Sequence, residues 1–103
     1  MIIRYNRKDV KIEALDISHI KSLGDYCIIT MKDKKKYIVL GTTKYFEKRL
    51  PHMKRVHKSH IVNLSHAIGI SRNTIRIENL NITVPIGRLY RKQLRKNYVY
   101  TIH

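Results

Sequence analysis

Several residue types that support enzymes, exported proteins and metal sites are scarce in this sequence. Its 103 residues include one cysteine, no tryptophan, one phenylalanine and seven acidic residues. The single cysteine, Cys27, excludes an internal disulfide and a cysteine-rich structural zinc site, which is typical of a protein in a reducing compartment. The sequence also lacks an apolar run long enough for a signal peptide or a membrane span, so we expect a cytoplasmic protein.

The acidic residues are too few and too scattered to favour catalysis. Each lies in or next to a different predicted turn, strand or helix. The seven are Asp9, Glu13, Asp16, Asp25, Asp33, Glu47 and Glu78. The sequence contains no carboxylate pair, no G-x-S-x-G elbow and no glycine-rich phosphate loop. We therefore expect neither an enzyme nor a bound cofactor.

Basic residues dominate the charge. The chain has 22 Lys and Arg, and its formal net charge is +15. Self-repulsion on that scale destabilises a compact chain, so such a charge usually accompanies a polyanionic partner. Nucleic acid is the first candidate, followed by an acidic membrane surface or an acidic protein. A generally basic surface without a partner is the remaining interpretation.

The hydrophobic pattern predicts a single, mostly β domain over residues 1–103. Apolar residues make up 43% of the chain, enough for a modest core. Short strands are predicted where apolar residues alternate or β-branched residues cluster, at 1–5, 10–14, 26–31, 36–40, 67–70, 74–78 and 82–86. Turns are expected at 22–25 and 79–81. A capping threonine and Pro51 predict a helix at 43–50, and apolar residues at four-residue spacing predict another at 88–97.

The rest of the chain is organised around residues 55–64, which read Arg-Val-His-Lys-Ser-His-Ile-Val-Asn-Leu. The apolar residues near its end should anchor the stretch to a core. His57, Lys58 and Ser59 should present hydrogen-bond donors from a loop. A loop of this kind suits an anionic polymer, because a rigid support positions the donors and supplies neighbouring charge.

This stretch resembles the R-x-H-[RK]-S-[YFH]-[IV]-V-N-L signature of the LytTR family of bacterial DNA-binding domains. Further similarity lies at the expected distances, at 17–26, 41–50 and 84–94. The resemblance covers about residues 2–97 and leaves 98–103 as an extra tail, either an edge strand or a packed segment. It implies an elongated stack of small antiparallel β-sheets with one or two short helices.

The same resemblance implies a function. Members of this family bind double-stranded DNA sequence-specifically, insert loops into successive major grooves, and regulate bacterial transcription. Pairs of domains are expected on tandem half-sites, with possible self-association on DNA. Family members usually follow a receiver domain. We therefore expect either a stand-alone regulator or an effector domain, controlled by a receiver or a membrane-bound regulator outside this chain.

Three residues are predicted to contact bases. Arg88 begins the last helix, where the helix dipole disfavours a cation, and the resemblance implies that it binds guanine in the major groove. The family usually has serine before this arginine, whereas Gly87 stands here. Lys58 follows the signature histidine at a position implied to contact a base, although a solvated lysine is the simpler interpretation. Tyr26 lies beside a loop implied to face a groove, with core packing as its alternative.

Other residues are predicted to contact phosphates or support these loops. They are His57, Ser59, Arg55, Lys21, Arg72, Arg91, Lys92 and Arg95. The last three, on the final helix, are alternatively an ordinary solvated face. His57, His60 and His66 are not predicted to bind a metal, since no carboxylate or thiolate is near them in sequence. Instead, we expect His57 to form a hydrogen bond within its loop and His60 to pack like an aromatic residue.

Two other functions compete with DNA binding. One is an RNA-binding or ribosome-associated module, which would need exposed aromatic residues to stack on unpaired bases. The sequence has one Phe and seven Tyr without a paired motif on neighbouring strands. The other is a protein-interaction domain held by an acidic or membrane-bound partner, which predicts no retardation of DNA at physiological salt.

Overall fold

The computed structural model describes residues 1–78 and 80–97, the last three of these as backbone only. This part of the chain forms ten short β-strands and two α-helices, with two single 3₁₀ turns at Ala14–Asp16 and Leu64–His66. The strands are β1 Ile2–Tyr5, β2 Lys8–Lys11, β3 Ile17–Leu23, β4 Tyr26–Met31, β5 Lys36–Leu40, β6 Lys54–His57, β7 His60–Val62, β8 Ala67–Ile70, β9 Thr74–Ile77 and β10 Ile82–Pro85. The helices are α1 Thr43–Arg49 and α2 Arg88–Asn97.

The strands form three antiparallel sheets. A central sheet has the strand order β5-β4-β3-β7-β6, a two-stranded sheet pairs β1 with β2, and a third sheet has the order β10-β9-β8. The molecule measures 44 × 25 × 20 Å along its principal axes. The predicted fold, an elongated stack of small antiparallel sheets with two short helices, is confirmed.

The central sheet separates two hydrophobic cores. On one face Ile20 lies opposite both Ile29 and Ile61, all three are fully buried, and the β1–β2 sheet contributes Ile3 and Ile12 to the same core. Burying a side chain of this size contributes about 1.5–3 kcal/mol. These contacts fix which edge of the sheet carries each loop.

The second core lies against the outer strands of the central sheet, β6 and β7. Fully buried Val56 and Val62 pack there with the third sheet, through Ile75 and Val84, and with α2 through Leu94. Successive residues of a strand point to opposite faces, so the short segment 56–62 serves both cores. The helix α2 is thereby held on β6.

Several predicted boundaries differ from the observed ones, three of them (the strands predicted at 1–5, 74–78 and 82–86) by a single terminal residue. Turn chemistry explains the largest difference. The strand predicted at 10–14 is β2, Lys8–Lys11, because Asn6 and Arg7 both adopt positive φ, 52° and 64°. A two-residue turn of this kind starts the return strand earlier, and Ala14 then falls in a 3₁₀ turn.

The other differences are smaller. The loop predicted at 22–25 is only Gly24 and Asp25, since β3 extends to Leu23. Helix α1 ends one residue before the predicted Leu50. The turn predicted at 79–81 is present at its described residues: Asn81 has φ 52° and supplies the conformation that Leu80 would resist. Residue 79 and the predicted tail at 98–103 lie outside the described residues.

Candidate nucleic-acid interface

The three predicted base-contacting residues occupy three turns or element ends. Tyr26 begins β4, Lys58 lies in the turn between β6 and β7, and Arg88 begins α2. None is buried, and Tyr26 is 49% exposed. Core packing is therefore not the role of the tyrosine side chain, and whether any of the three contacts DNA stays a prediction.

Two backbone hydrogen bonds bring these turns to one end of the central sheet. The Ser22 N–H, in the β3–β4 hairpin, donates to the Ser59 carbonyl at 2.9 Å, and the Gly87 N–H, just before α2, donates to the Val56 carbonyl at 2.7 Å. Since α2 packs on β6, the turns follow one another in the order β3–β4, β6–β7, α2. Tyr26, Lys58 and Arg88 thus lie along one strand-end edge of the central sheet.

The β6–β7 turn is closed from within by side chains. Arg55 Nη2 donates to the Lys58 carbonyl at 2.7 Å, and His57 Nδ1 accepts the Ser59 N–H at 3.0 Å. Because Nδ1 accepts, the neutral His57 ring carries its proton on Nε2. The expected hydrogen bond of His57 within its loop is present. Arg55 supports the turn, and whether it also contacts a phosphate stays a prediction.

A pair of histidines lies directly behind this turn. The His60 and His19 rings lie nearly in one plane, 10° apart, with ring centroids separated by 5.1 Å, and they meet edge to edge through a 2.8 Å hydrogen bond between His19 Nε2 and His60 Nδ1. Burial, reinforced by the neighbouring histidine and by Lys21, lowers the pKa of each ring to about 4, and both are neutral at pH 7. His60 packs as an aromatic residue, as expected.

Sequence reasoning did not identify His19. Its partner is 41 residues away, and the contact exists only because β3 pairs with β7. Position 19 falls within a segment of mixed polar and apolar residues, Ser18-His19-Ile20-Lys21, so no local signal marks it.

The asparagine of the signature has a structural role. Asn63 is 3% exposed, accepts the Ser65 N–H at 3.0 Å and donates to the Leu15 carbonyl at 3.2 Å. His66, beside it, lies 2.7 Å from Ser18 Oγ, and burial is the main cause of its lowered pKa. This cluster caps the 3₁₀ turn after β7 and joins it to the start of β3.

Gly87 fits a tight junction between α2 and the β6–β7 turn. A Cβ at this position would lie 3.1 Å from Tyr90 Cδ2 and 3.4 Å from His57 Cα. The backbone of Arg88 is therefore held close to His57. A serine here would gain a capping hydroxyl only if Tyr90 shifted by a few tenths of an ångström.

The remaining predicted contacts lie around these turns. Lys21 is exposed on β3 opposite His60. Arg72 is exposed in the β8–β9 turn. The carbonyl of the next residue, Asn73, accepts the Ile86 N–H at 2.8 Å, so Arg72 lies near the start of α2. On α2, Lys92 is exposed and Arg91 is partly buried. The side chain of Arg95 lies outside the described residues.

Within residues 1–78 and 80–97, no group of three or more His, Cys, Asp or Glu side chains is arranged to hold a metal ion. No helix there is both long enough and apolar enough to cross a membrane.

Comparisons with known proteins agree with this geometry. A family model described as the LytTr DNA-binding domain matches residues 7–98. Comparison with curated proteins gave no significant match. Among solved structures, the chain is similar to the LytTr DNA-binding domain of a methyl-accepting/DNA response regulator from Bacillus cereus, with 17% identity, a TM-score of 0.77 and 93% of each chain covered. The match to the family model spans most of the sequence, so this chain belongs to the LytTR family of DNA-binding domains and functions in transcriptional regulation.

Proposed function

We propose that this domain reads a specific duplex sequence with the end of the central sheet that carries Tyr26, Lys58 and Arg88. The observation that carries the proposal is that the turns bearing these exposed residues, distant in sequence, are brought to one edge of the central sheet by the Ser22–Ser59 and Gly87–Val56 hydrogen bonds. They do so on a chain with a net charge of +15. The role proposed for this surface is binding, without catalysis.

The shape of the domain supports contact with successive grooves. Its long axis is 44 Å, and one turn of B-DNA repeats about every 34–36 Å. Three turns that lie side by side at one strand-end edge of the central sheet can follow one side of a duplex. Arg88 is proposed to donate two hydrogen bonds from its guanidinium N–H groups to guanine O6 and N7, and Lys58 and Tyr26 are proposed to contact base edges beside it.

The surrounding basic residues are proposed to bind phosphates. Lys21, Arg72 and Lys92 are exposed near the three turns, and Arg91 and Arg95 lie on the same helix as Lys92. If six to eight phosphates are neutralised, log affinity should fall against log salt with a slope of roughly −5 to −7. Arg55, His57 and Ser59 instead hold the β6–β7 turn in shape.

The setting of this activity is also a proposal. We place it in the bacterial cytoplasm, with pairs of domains on tandem half-sites and a regulator, such as a receiver domain or a membrane-bound protein, acting from outside this chain. Family membership and the net positive charge support this setting.

Selection from a random duplex library tests the proposal, followed by binding assays on the selected site and on random DNA. Arg88→Ala should cost about 1–3 kcal/mol on the selected site and remove discrimination at one base position. Arg4→Ala, in the two-stranded sheet, makes the same charge change and should have little effect. An equal loss of affinity for the selected site and for random DNA would mean that Arg88 contacts a phosphate and not a base. Tighter binding to structured RNA at matched salt would favour the RNA-binding alternative.

A further inference from the structure

A cleft of about 490 Å³ lies between the central sheet and the third sheet. Its floor is the face of the central sheet opposite Ile20 and Ile29, so it lies outside the first hydrophobic core. Strand β10, the edge strand of the third sheet, forms its wall. The volume falls within the range of roughly 300–1,000 Å³ found for small-molecule sites.

The charge lining this cleft has one sign. Lys21, Lys34 and Lys36 line it, and its lining includes no carboxylate. His19 and His60 lie at its floor and are neutral at pH 7 because burial and the neighbouring cations lower the pKa of each ring. Three lysines around one concave site repel each other, and a bound anion would relieve that repulsion.

The remaining lining is divided between apolar and hydroxyl-bearing side chains. Ile28 on the floor and Ile82 on the wall are partly exposed, whereas Val84 is buried in the second core behind the wall. The lining also includes Thr30 on the floor and Thr83, whose side chain points to the opposite face from those of Ile82 and Val84. An aliphatic body would bury its surface against the branched side chains at about 25 cal/mol per Å². An ionised head group would find ammonium groups at the rim.

We propose that this cleft binds a small amphipathic organic anion, a carboxylate with a short aliphatic body. Such a ligand would touch the back of the DNA-binding end, since Lys21 pairs with His60 across β3 and β7. The His60 ring in turn lies 5.1 Å from that of His57. The consequence for DNA rests on the proposed function: an anion neutralising Lys21 would weaken duplex binding, and bound DNA would weaken the anion equally.

Hexanoate is a suitable probe, with hexan-1-ol as the neutral comparison and inorganic phosphate as the anion without a body. A ligand of this size should bind with a Kd on the order of 1 mM. Calorimetry and amide chemical shifts should show saturable binding, with shifts at Thr30 and Thr83. Hexanol and phosphate should each bind at least about tenfold more weakly.

A matched pair of variants separates the cleft from general charge. Lys34 and Lys36 line the cleft, whereas Lys32 and Lys35, in the same β4–β5 hairpin, line a groove on the opposite side. All four are exposed, so reversal should leave the fold intact. K34E/K36E should weaken hexanoate by about tenfold or more, and K32E/K35E, with the same change in net charge, by less than about twofold.

Each other outcome would overturn the proposal. Equal losses of hexanoate affinity in both double variants would mean unspecific attraction to a basic protein. Equal binding of hexan-1-ol would mean that the cleft does not recognise the negative charge. Equal binding of phosphate would mean that the aliphatic body does not contribute to binding. No saturable hexanoate binding below about 10 mM would also reject it.

The effect on DNA is measured separately with a random-sequence duplex. Hexanoate should raise the apparent Kd for DNA in K32E/K35E but not in K34E/K36E. A chain that binds hexanoate but no duplex would contradict the proposed function and leave the cleft assignment standing. A chain that binds duplex but no hexanoate would contradict the cleft assignment and leave the proposed function standing.

Discussion

The neutral histidine pair behind the β6–β7 turn predicts that the domain loses stability in mild acid. His19 is 7% exposed and His60 is half-buried, and their pKa values are lowered from 6.5 to about 4. The unfolded chain therefore binds protons at these positions between pH 6.5 and 4 that the folded chain does not. Stability from this source is complete above about pH 6.5 and is lost as pH falls toward 4.

The magnitude follows from the linkage relation. Between pH 7 and pH 5, His19 alone should reduce the free energy of unfolding by roughly 2 kcal/mol. His60 adds less, because solvent screens a half-buried group, and His66, whose pKa is also lowered mainly by burial, acts in the same direction. Carboxylates can contribute little to the difference, since the chain has only seven acidic residues.

Urea denaturation monitored by circular dichroism at pH 7, 6 and 5 measures this effect. His19→Gln should lower stability at pH 7 and make the remaining stability less dependent on pH. His52→Gln is the control. The His52 ring forms a hydrogen bond with the Ala14 carbonyl, away from the His19–His60 pair, so this substitution should leave the dependence of unfolding free energy on pH in place. A wild-type domain equally stable at pH 7 and pH 5 would refute the reasoning. So would an unchanged pH dependence in His19→Gln.

Three further changes follow from individual contacts. Arg55→Met removes the hydrogen bond to the Lys58 carbonyl and should weaken DNA binding to a selected site by roughly 3–10-fold. The slope of log affinity against log salt should stay unchanged. A slope smaller by about one would mean that Arg55 contacts a phosphate. Ile61→Ala, at a fully buried position of the first core, should cost about 2–5 kcal/mol in urea denaturation, and a loss below about 1 kcal/mol would mean that the core collapses around the gap. Thr42→Ala removes the oxygen that accepts the Tyr45 N–H at 3.1 Å and should destabilise by about 1 kcal/mol; Thr42→Ser, which keeps the hydroxyl, should restore most of the loss.

Local patterns were sufficient for much of the fold. Strands β4, β5 and β8 and helix α2 were predicted with their observed bounds, because alternation and four-residue spacing encode the burial of one face. The largest error in a predicted boundary is at β2, because Asn6 and Arg7 both adopt positive φ and form a two-residue turn, so that the strand begins at Lys8.

The sequence by itself determined the basic charge, the short-strand architecture and the family, all of which are written in residue types and their spacing. Only the tertiary structure decided that His19 meets His60 and that the turns bearing Tyr26, Lys58 and Arg88 share one end of a sheet. The physical reason is that strand order and register depend on burying two cores at once. That condition joins residues 30 to 60 positions apart and leaves no mark in any short stretch of chain.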